Sequence, residues 1–396
     1  MKRWVGRIAV AMIGLAVSLS TGCKGFFVYP GSVNNSSTTS GDYVYVVSAN
    51  TVAYTLAGFS VGTGSLTAVS GSPISLNFAP NAVAVNPANT IVYIAGDGPV
   101  SGSSANPIYA FAIESGGALS ALGNNGSPVE YANVVSMTIS PDGQWLLALD
   151  GNGSTVDEFQ IDSSTGGLTP YPVTVYNTSV SSLTVLPTSI AVAPNGQLVF
   201  ISLGTAGDLV YTFNTTTGGL TSSQQLLPPT TTTSDNALAV SPDSSYLYIA
   251  RSGTDGGLAA YSIGYGAGAV GALTPVSGSP FTTGNQPFSV VVNSAGTDVY
   301  VANQLSGTIS AYSVGANGVL TSLGPATVNG SSVTALAIDS TGDYLLAVAR
   351  GGTPNPPDLA MYSLDTGIAG ELTLSTTADT GAGTEPAGAV GLAMTH

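Results

Sequence analysis

The side chains that could do chemistry in this chain are few. Its 396 residues contain one His, one Cys and 6 basic residues, against 21 acidic ones. A Ser-His-Asp or Cys-His arrangement needs an imidazole, and the single His is His396, which is expected to be an exposed chain end. No Lys follows Lys24, which excludes a lysine Schiff base in the body of the chain. Carboxylates and two arginines are therefore the groups left for catalysis or binding.

Four polar residues follow similar apolar strands and could form a site. Asp150, Arg251, Asn303 and Arg350 each come directly after a strand such as Leu-Tyr-Ile-Ala or Val-Tyr-Val-Ala, at positions that align as equivalent. Two guanidinium groups that flank an amide around one opening would create a local anion-binding spot in an acidic protein. We therefore predict that Arg251, Asn303 and Arg350 bind a ligand, and that Asp150 is the catalytic base if the protein is an enzyme.

Two alternatives to this site stay open. Each arginine could pair with a nearby carboxylate, such as Asp255 or Asp358, and only tie down a loop. The run Asp150-Gly151-Asn152-Gly153-Ser154, followed by Asp157 and Glu158, has oxygen ligands at alternating positions, as calcium loops do. The full D-x-D-x-D-G pattern is missing, and a hydrophilic loop built from turn residues explains the run equally well. We predict no metal and no cofactor.

The elements that must position these residues come from one unit repeated seven times. The repeat is about 50 residues long, and three landmarks recur in it. An aromatic residue in an alternating strand recurs at Phe59, Phe111, Phe159, Phe213, Tyr261, Tyr312 and Tyr362. A Leu that follows a Gly-containing turn recurs at Leu66, Leu119, Leu168, Leu220, Leu273, Leu320 and Leu372. A short apolar strand recurs at residues 83–85, 137–139, 190–192, 238–240, 290–292, 336–338 and 392–394.

The order of these landmarks predicts four short antiparallel strands in each repeat. A turn such as Pro141-Asp142-Gly143 follows the apolar strand and starts a second strand; the aromatic strand comes third and the Leu strand fourth. Such a repeat is typical of a β-propeller blade. The first repeat begins at Asp42 without its first strand, and Leu392–Met394 supplies a spare one. The fold class is therefore all-β: a seven-bladed β-propeller whose C-terminal strand completes the first blade.

The repeated phrase resembles a known family. Gly307-Thr308-Ile309-Ser310-Ala311-Tyr312-Ser313-Val314 has the form that the seven-bladed lactonase family repeats, and Val299-Tyr300-Val301-Ala302-Asn303 is similar to YVTN-type surface propellers. The resemblance covers residues 42–396 and implies a propeller of the 6-phosphogluconolactonase type. Lactonase members pair a His ahead of a first strand with a D-L-G-x-D-x-[VI] segment. The nearest match here is residues 202–210, with Ser202 in place of the first Asp, and Leu186-Pro187-Thr188 has no His.

The start of the chain has the pattern of an export signal. Basic residues within 2–7 precede an apolar stretch at 8–19, and Leu19-Ser20-Thr21-Gly22-Cys23 resembles a bacterial lipobox. The alternative is an ordinary secretory signal with an incidental Cys. We predict a signal peptide at residues 1–22, a lipidated Cys23 with a flexible tether at 23–41, and the propeller at 42–396. Lys24 after the Cys indicates the outer membrane if the cell is Gram-negative.

Two classes of function fit these observations. A net charge of −15 excludes nucleic acid as a partner, because binding phosphates needs clustered basic residues. We predict an exported, monomeric binding module that a lipid anchor attaches to the membrane. Its ligand would be a small acid, a sugar acid or another carbohydrate at the channel mouth, or an envelope protein or glycan. The alternative is a lactone hydrolase in which Asp150 is the base and arginines clamp the substrate.

Overall fold

The part of the chain that the structure describes is almost entirely β-strand. This computed structural model describes residues 42–49, 53–97, 108–122, 133–151, 155–172, 174–175, 185–226, 232–324, 327–328, 332–349, 358–364, 372–381 and 388–396. The predicted signal peptide and tether, with Cys23, lie outside these residues, and so does Arg350. In the described ranges, no helix has the length and apolar character of a membrane span.

The strands form seven antiparallel sheets, which we call blades I to VII. Blade I contains β1 (Asp42–Ala49), β2 (Tyr54–Gly62), β3 (Ser65–Ala68) and β4 (Ile74–Leu76). Blade II contains β5 (Ala79–Val85), β6 (Ile91–Asp97), β7 (Ile108–Ile113) and β8 (Leu119–Ala121). Blade III contains β9 (Val134–Ile139), β10 (Trp145–Asp150), β11 (Thr155–Ile161), β12 (Leu168–Pro170) and β13 (Thr174–Val175). Blade IV contains β14 (Ser189–Val192), β15 (Leu198–Ser202), β16 (Asp208–Phe213) and β17 (Leu220–Leu226).

The remaining blades follow the same order. Blade V contains β18 (Ser234–Val240), β19 (Tyr246–Ser252), β20 (Gly257–Ile263) and β21 (Leu273–Pro275). Blade VI contains β22 (Pro287–Val292), β23 (Asp298–Asn303), β24 (Thr308–Val314), β25 (Leu320–Ser322) and β26 (Thr327–Val328). Blade VII contains β27 (Val333–Ile338), β28 (Tyr344–Ala349), β29 (Leu359–Leu364) and β30 (Leu372–Ala378). The last strand of the chain is β31 (Ala389–Met394), and short 3₁₀ helices lie at Ser115–Gly117 and Ala316–Gly318.

The predicted closure of the ring is confirmed. β31 joins blade I as its innermost strand and pairs with β1, with Met394 opposite Val44 and Leu392 opposite Val46. The backbone N–H of Thr395 then donates to Tyr43 O at 2.9 Å. His396, which was expected to be exposed, is half-buried, and burial lowers the pKa of its imidazole to about 4. Its backbone N–H donates to Asn89 Oδ1 in blade II at 3.0 Å, so the chain end also contacts the next blade.

The Leu and apolar-strand landmarks are confirmed, and one aromatic landmark is wrong. Each predicted Leu begins or nearly begins a fourth strand and pairs with the end of the third. In blade IV the residue in register with the other aromatics is Tyr211, which pairs with Val199, whereas Phe213 pairs with Leu220. Because side chains alternate with a period of two, either residue satisfies the sequence pattern on that face.

Antiparallel pairing gives the ring two different edges. Each second strand ends where the third begins, at the same edge as the connection from each fourth strand to the next blade; we call this edge the loop face. The hairpin turns between strands one and two and between strands three and four lie at the opposite edge, which we call the turn face. The innermost strands contact one another in cyclic order through all seven blades. The loop face therefore brings residues that are far apart in sequence around one opening.

Candidate functional site

One position at the loop end of the second strand recurs around the ring. In six blades this residue lies opposite the start of the first strand, at Ser48, Gly96, Asp150, Arg251, Asn303 and Ala349. The predicted equivalence of Arg251 and Arg350 is therefore wrong by one residue, because Ala349 occupies the position in blade VII. Tyr246 and Tyr344 begin their strands in the same register, but Arg251 is five positions after Tyr246, whereas Arg350 is six positions after Tyr344.

Arg251 makes a buried ion pair with Asp235. Its Nε donates to Asp235 Oδ1 at 2.5 Å and its Nη2 donates to Oδ2 at 2.8 Å. Arg251 is 3% exposed and Asp235 is fully buried. Burial alone would lower the pKa of Arg251, but the hydrogen bonds and the charge of Asp235 raise it, so the guanidinium stays charged. The alternative in which Arg251 pairs with a carboxylate thus holds for Asp235 in β18, not for Asp255, which is exposed.

A second carboxyl group lies beside this pair. Asp208, at the start of β16, is fully buried, and neither of its carboxylate oxygens has a hydrogen-bond partner among the described residues. Burial, and then the charge of Asp235, raise the pKa of Asp208 well above its usual value. The hydroxyls of Ser202 and Thr188 each donate to the backbone oxygen of Asp235 at 2.9 Å. These groups form a polar cluster between blades IV and V, and with Asp208 protonated the three ionisable side chains carry no net charge.

The sequence pointed to part of this cluster and missed the rest. Ser202 and Asp208 both lie in residues 202–210, the segment that most nearly matches the lactonase motif. Asp235 was not predicted, although it lies three residues before the apolar triplet 238–240. A bulge between Asp235 and Ala237 shifts the register of this strand, so counting back from the triplet does not place Asp235 opposite Arg251.

We expect Asp208→Asn to make the free energy of unfolding less dependent on pH. A folded-state pKa above the unfolded value means that the native chain holds a proton that the unfolded chain has already lost. Stability contributed by this group is therefore present at low pH and is lost as pH rises above about 4, the usual carboxyl value. Asn resembles the protonated acid and should stabilise the protein at pH 8 by about 1–3 kcal/mol. Urea unfolding at pH 4.5 should show a smaller gain in stability for the variant. Equal gains at pH 4.5 and pH 8 would contradict the raised pKa of Asp208.

Asp150 ends β10 beside a second acidic residue, Asp157, in β11. Each is 5% exposed, and Asp157 pairs with Ala148, so it lies diagonally across from Asp150. Burial, and then the negative charge of Asp150, raise the pKa of Asp157 to about 6. A carboxyl group with that pKa can act as a base near neutral pH. Asp157, which the sequence suggested only as part of a calcium loop, is thus a neighbour of the predicted base Asp150.

The described residues around Asp150 do not favour the calcium alternative. Glu158 points away from the predicted loop: Thr174 Oγ1 donates to its Oε1 at 2.7 Å and the backbone N–H of Gly219 donates to its Oε2 at 2.8 Å. Residues 152–154 lie outside the described part of the chain. Within the described part, no group of three or more His, Cys, Asp and Glu side chains could hold a metal ion.

A cleft of about 510 Å³ opens at the loop face between blades V and VI. Blade V lines it with residues 251–253 and 256–257, and blade VI lines it with residues 282–287 and Leu305. The predicted ligand site, formed by Arg251, Asn303 and Arg350 at the channel mouth, did not include the walls of this cleft, because the walls come from loops that carry no repeated landmark. The cleft includes Arg251, yet the guanidinium of this residue is held by Asp235.

Asn303 lies directly under the cleft. It is fully buried; its Nδ2 donates to Ser310 Oγ at 2.9 Å, and its Oδ1 has no hydrogen-bond partner among the described residues. Gly284, which lines the cleft, lies against this amide: a Cβ at Gly284 would be 2.8 Å from Asn303 Cγ, so the loop needs a glycine there. The structure therefore brings Arg251 and Asn303 to one cleft, while Asp150 lies in blade III. Their roles in ligand binding stay predictions.

Comparison with known proteins agrees with this architecture. The family model of the lactonases, described as a seven-bladed β-propeller, matches residues 202–324 and 267–386. The chain is a seven-bladed β-propeller that is similar to the lactonase family over residues 202–386. No curated protein sequence shows a significant match to it. The similarity to the family therefore rests on the second half of the chain, which carries blades IV to VII.

Solved structures share the fold of this propeller. A 6-phosphogluconolactonase candidate from Bacteroides uniformis has a TM-score of 0.71 and 17% identity, covering 89% of this chain and 98% of its own. Another from Bacteroides fragilis has a TM-score of 0.68 and 18% identity, covering 91% and 100%. The periplasmic gluconolactonase of Pseudomonas aeruginosa has a TM-score of 0.66 and 14% identity, covering 90% and 99%. At such identities the likeness establishes the fold and does not transfer catalytic residues.

Proposed function

We propose that this propeller is an exported, lipid-anchored binding module of the cell envelope. Its ligand, a small acid or a carbohydrate, would bind at the loop face. The cleft between blades V and VI supports this proposal, because ligand sites are concave and carry a few convergent polar groups. The chemistry of the chain agrees, since the single His, His396, is at the chain end and no Lys follows Lys24.

Ligand binding is tested with the purified protein and a panel of small molecules. Titration calorimetry with neutral monosaccharides and with the matching sugar acids should give a dissociation constant below about 1 mM for at least one member. Binding that survives when the cleft is blocked, for example by Thr282→Trp at an exposed lining position, would place the site elsewhere on the ring. Failure of both ligand classes to bind would refute the proposed function.

The lipid anchor is tested separately. The mature protein should fractionate with membranes and carry a diacylglycerol-modified Cys23 at its N-terminus, which mass spectrometry detects. Cys23→Ser should abolish the modification and release the protein from the membrane, because two or more acyl chains are needed for stable anchoring. Unchanged membrane association of the variant would show that another contact holds the protein there.

Lactone hydrolysis is the second candidate function. Asp157, with its pKa of about 6 and its neighbour Asp150, supplies a base near neutral pH, and the solved relatives named above include a gluconolactonase. If this function is correct, we expect the hydrolysis rate to rise through pH 6 and level off above it, because the base acts when it is deprotonated. Asp157→Asn should lower kcat 100-fold or more.

The measurement is hydrolysis of glucono-1,5-lactone, corrected for the spontaneous reaction at each pH. Asp150→Asn tests the neighbour: removal of its negative charge should lower the pKa of Asp157 and shift the rate profile to lower pH. Asp162→Asn, at an exposed turn on the turn face, is the matched control and should leave the profile unchanged. Equal rates for wild type and Asp157→Asn would exclude this base.

A further inference from the structure

The cleft between blades V and VI has no free positive charge among the described residues. Arg251 is the one charged residue in its lining, and both its Nε and its Nη2 are committed to Asp235. Asp255, an exposed acidic residue, lies in the chain between the lining residues Gly253 and Gly256. An anion that entered the cleft would meet a neutralised ion pair and a repulsive carboxylate. The electrostatics therefore disfavour a small acid.

The cleft does offer uncommitted neutral hydrogen-bonding groups. The side chains of Asn285 and Gln286 are exposed and make no hydrogen bond to the described residues, and Thr282 is exposed beside them. A carboxamide has an acceptor oxygen and a two-proton donor, and a threonine hydroxyl both donates and accepts. Vicinal hydroxyl groups also donate and accept, so they can pair with each of these groups. Leu305, which is 73% exposed, adds an apolar surface at the rim.

The backbone holds one of these amides in an unusual conformation. Gln286 has φ +56°, in the left-handed region that non-glycine residues adopt rarely. Such conformations are strained for non-glycine residues, and they are concentrated at ligand-binding sites. The backbone oxygen of Gln286 accepts a hydrogen bond from the N–H of Gln304 at 2.8 Å, so the strained residue is fixed to the neighbouring hairpin of blade VI.

We infer that this cleft binds an uncharged polyhydroxylated ligand, a neutral monosaccharide unit, through the side chains of Asn285 and Gln286. The inference rests on the proposed binding function and selects between the two ligand classes that the function left open. The hydroxyl groups of the sugar pair with the two amides, and an apolar face of the ring lies against Leu305. No charged group of the protein is needed for recognition.

The test compares neutral sugars with acids of the same shape. Methyl glycosides of glucose, galactose, mannose and N-acetylglucosamine are titrated into the protein beside glucuronate and galacturonate. We expect at least one neutral sugar to bind 10-fold or more tightly than either acid. Asn285→Ala and Gln286→Gly should each weaken that binding 5-fold or more. Glycine is chosen at position 286 because it accepts the positive φ without strain.

Gln144→Ala is the matched control, because Gln144 is an exposed amide on the turn face and should have no effect on binding. Thermal unfolding of each variant confirms that it is folded. Tighter binding of an acid than of every neutral sugar would overturn the inference while leaving the binding function intact. Binding of a neutral sugar that neither cleft variant weakens would also overturn it. Binding of nothing in the panel would refute the proposed function itself.

Discussion

Arg251→Met is expected to destabilise the propeller by about 3–5 kcal/mol, the cost of removing one partner from a buried ion pair. Asp235 is fully buried and receives both hydrogen bonds from the guanidinium, so the substitution leaves its carboxylate without its cationic partner. Asp208, buried beside it and protonated, carries no positive charge that could replace the guanidinium. Urea unfolding at pH 7 measures the loss as a lower midpoint.

The double variant Arg251→Met/Asp235→Leu separates two contributions to this loss of stability: the lost ion pair itself and the unpaired buried carboxylate that the single variant leaves. Replacing both partners of a buried pair by apolar groups is often neutral, so the double variant should recover most of the stability that the single variant loses. Asp255→Asn, at an exposed position in the same loop, should change stability by less than about 0.5 kcal/mol. A loss below about 1 kcal/mol for Arg251→Met would contradict the structural role of this residue.

The same variants decide between the two roles that the sequence left open for Arg251. A ligand-binding arginine that contributes little to folding would give a stable variant with weaker binding. The buried geometry instead predicts an unstable variant whose remaining folded fraction binds a neutral sugar with little change. Measuring binding and unfolding on one preparation therefore distinguishes a binding residue from a residue that holds the loop face together.

The fold could be predicted because its signals repeat. Seven Leu landmarks, seven apolar triplets and a missing first strand in the first repeat all specify one ring, and each error in one repeat is corrected by the other six. The closing pairing of β31 with β1 followed from the match between Asp42-Tyr43 and Asp343-Tyr344. This redundancy makes the architecture a property of the whole chain, and no single residue decides it.

The site could be predicted only in part, because it depends on register in single blades. The position that Arg251 occupies belongs to Ala349 in blade VII. The one-residue shift of Arg350 is visible in its spacing from Tyr344 but not in the apolar pattern that aligns the strands. Bulges in the first strands, such as the one between Asp235 and Ala237, change which residues face each other without changing the apolar pattern. The partner of Arg251 and the walls of the cleft both depend on such local features.

Truncation of the chain after Gly388 is expected to abolish cooperative folding. The deletion removes β31, all six residues of which are buried, and exposes the edge of β1. Val390, Leu392 and Met394 are each at most 3% exposed. At about 1.5–3 kcal/mol for each fully buried side chain, their loss alone amounts to roughly 5–9 kcal/mol. That is comparable to the whole stability of a typical domain, about 5–15 kcal/mol. Near-UV circular dichroism and urea unfolding should show a non-cooperative, aggregation-prone chain.

Adding a synthetic peptide of residues 388–396 to the truncated chain tests this explanation. The open first blade presents an unpaired strand edge, and such an edge can accept a strand from solution. The peptide should restore the cooperative transition in proportion to its concentration, as expected for a ligand that binds only the folded chain. A peptide with Leu392→Asp should fail, since Leu392 is fully buried opposite Val46. Deletion of His396 alone keeps β31 and removes the hydrogen bonds to Asn89, so this control should unfold cooperatively. A cooperative transition in the truncated chain without peptide would mean that six blades and an incomplete first one suffice. In that case closure would have to contribute to the geometry of the loop face rather than to stability.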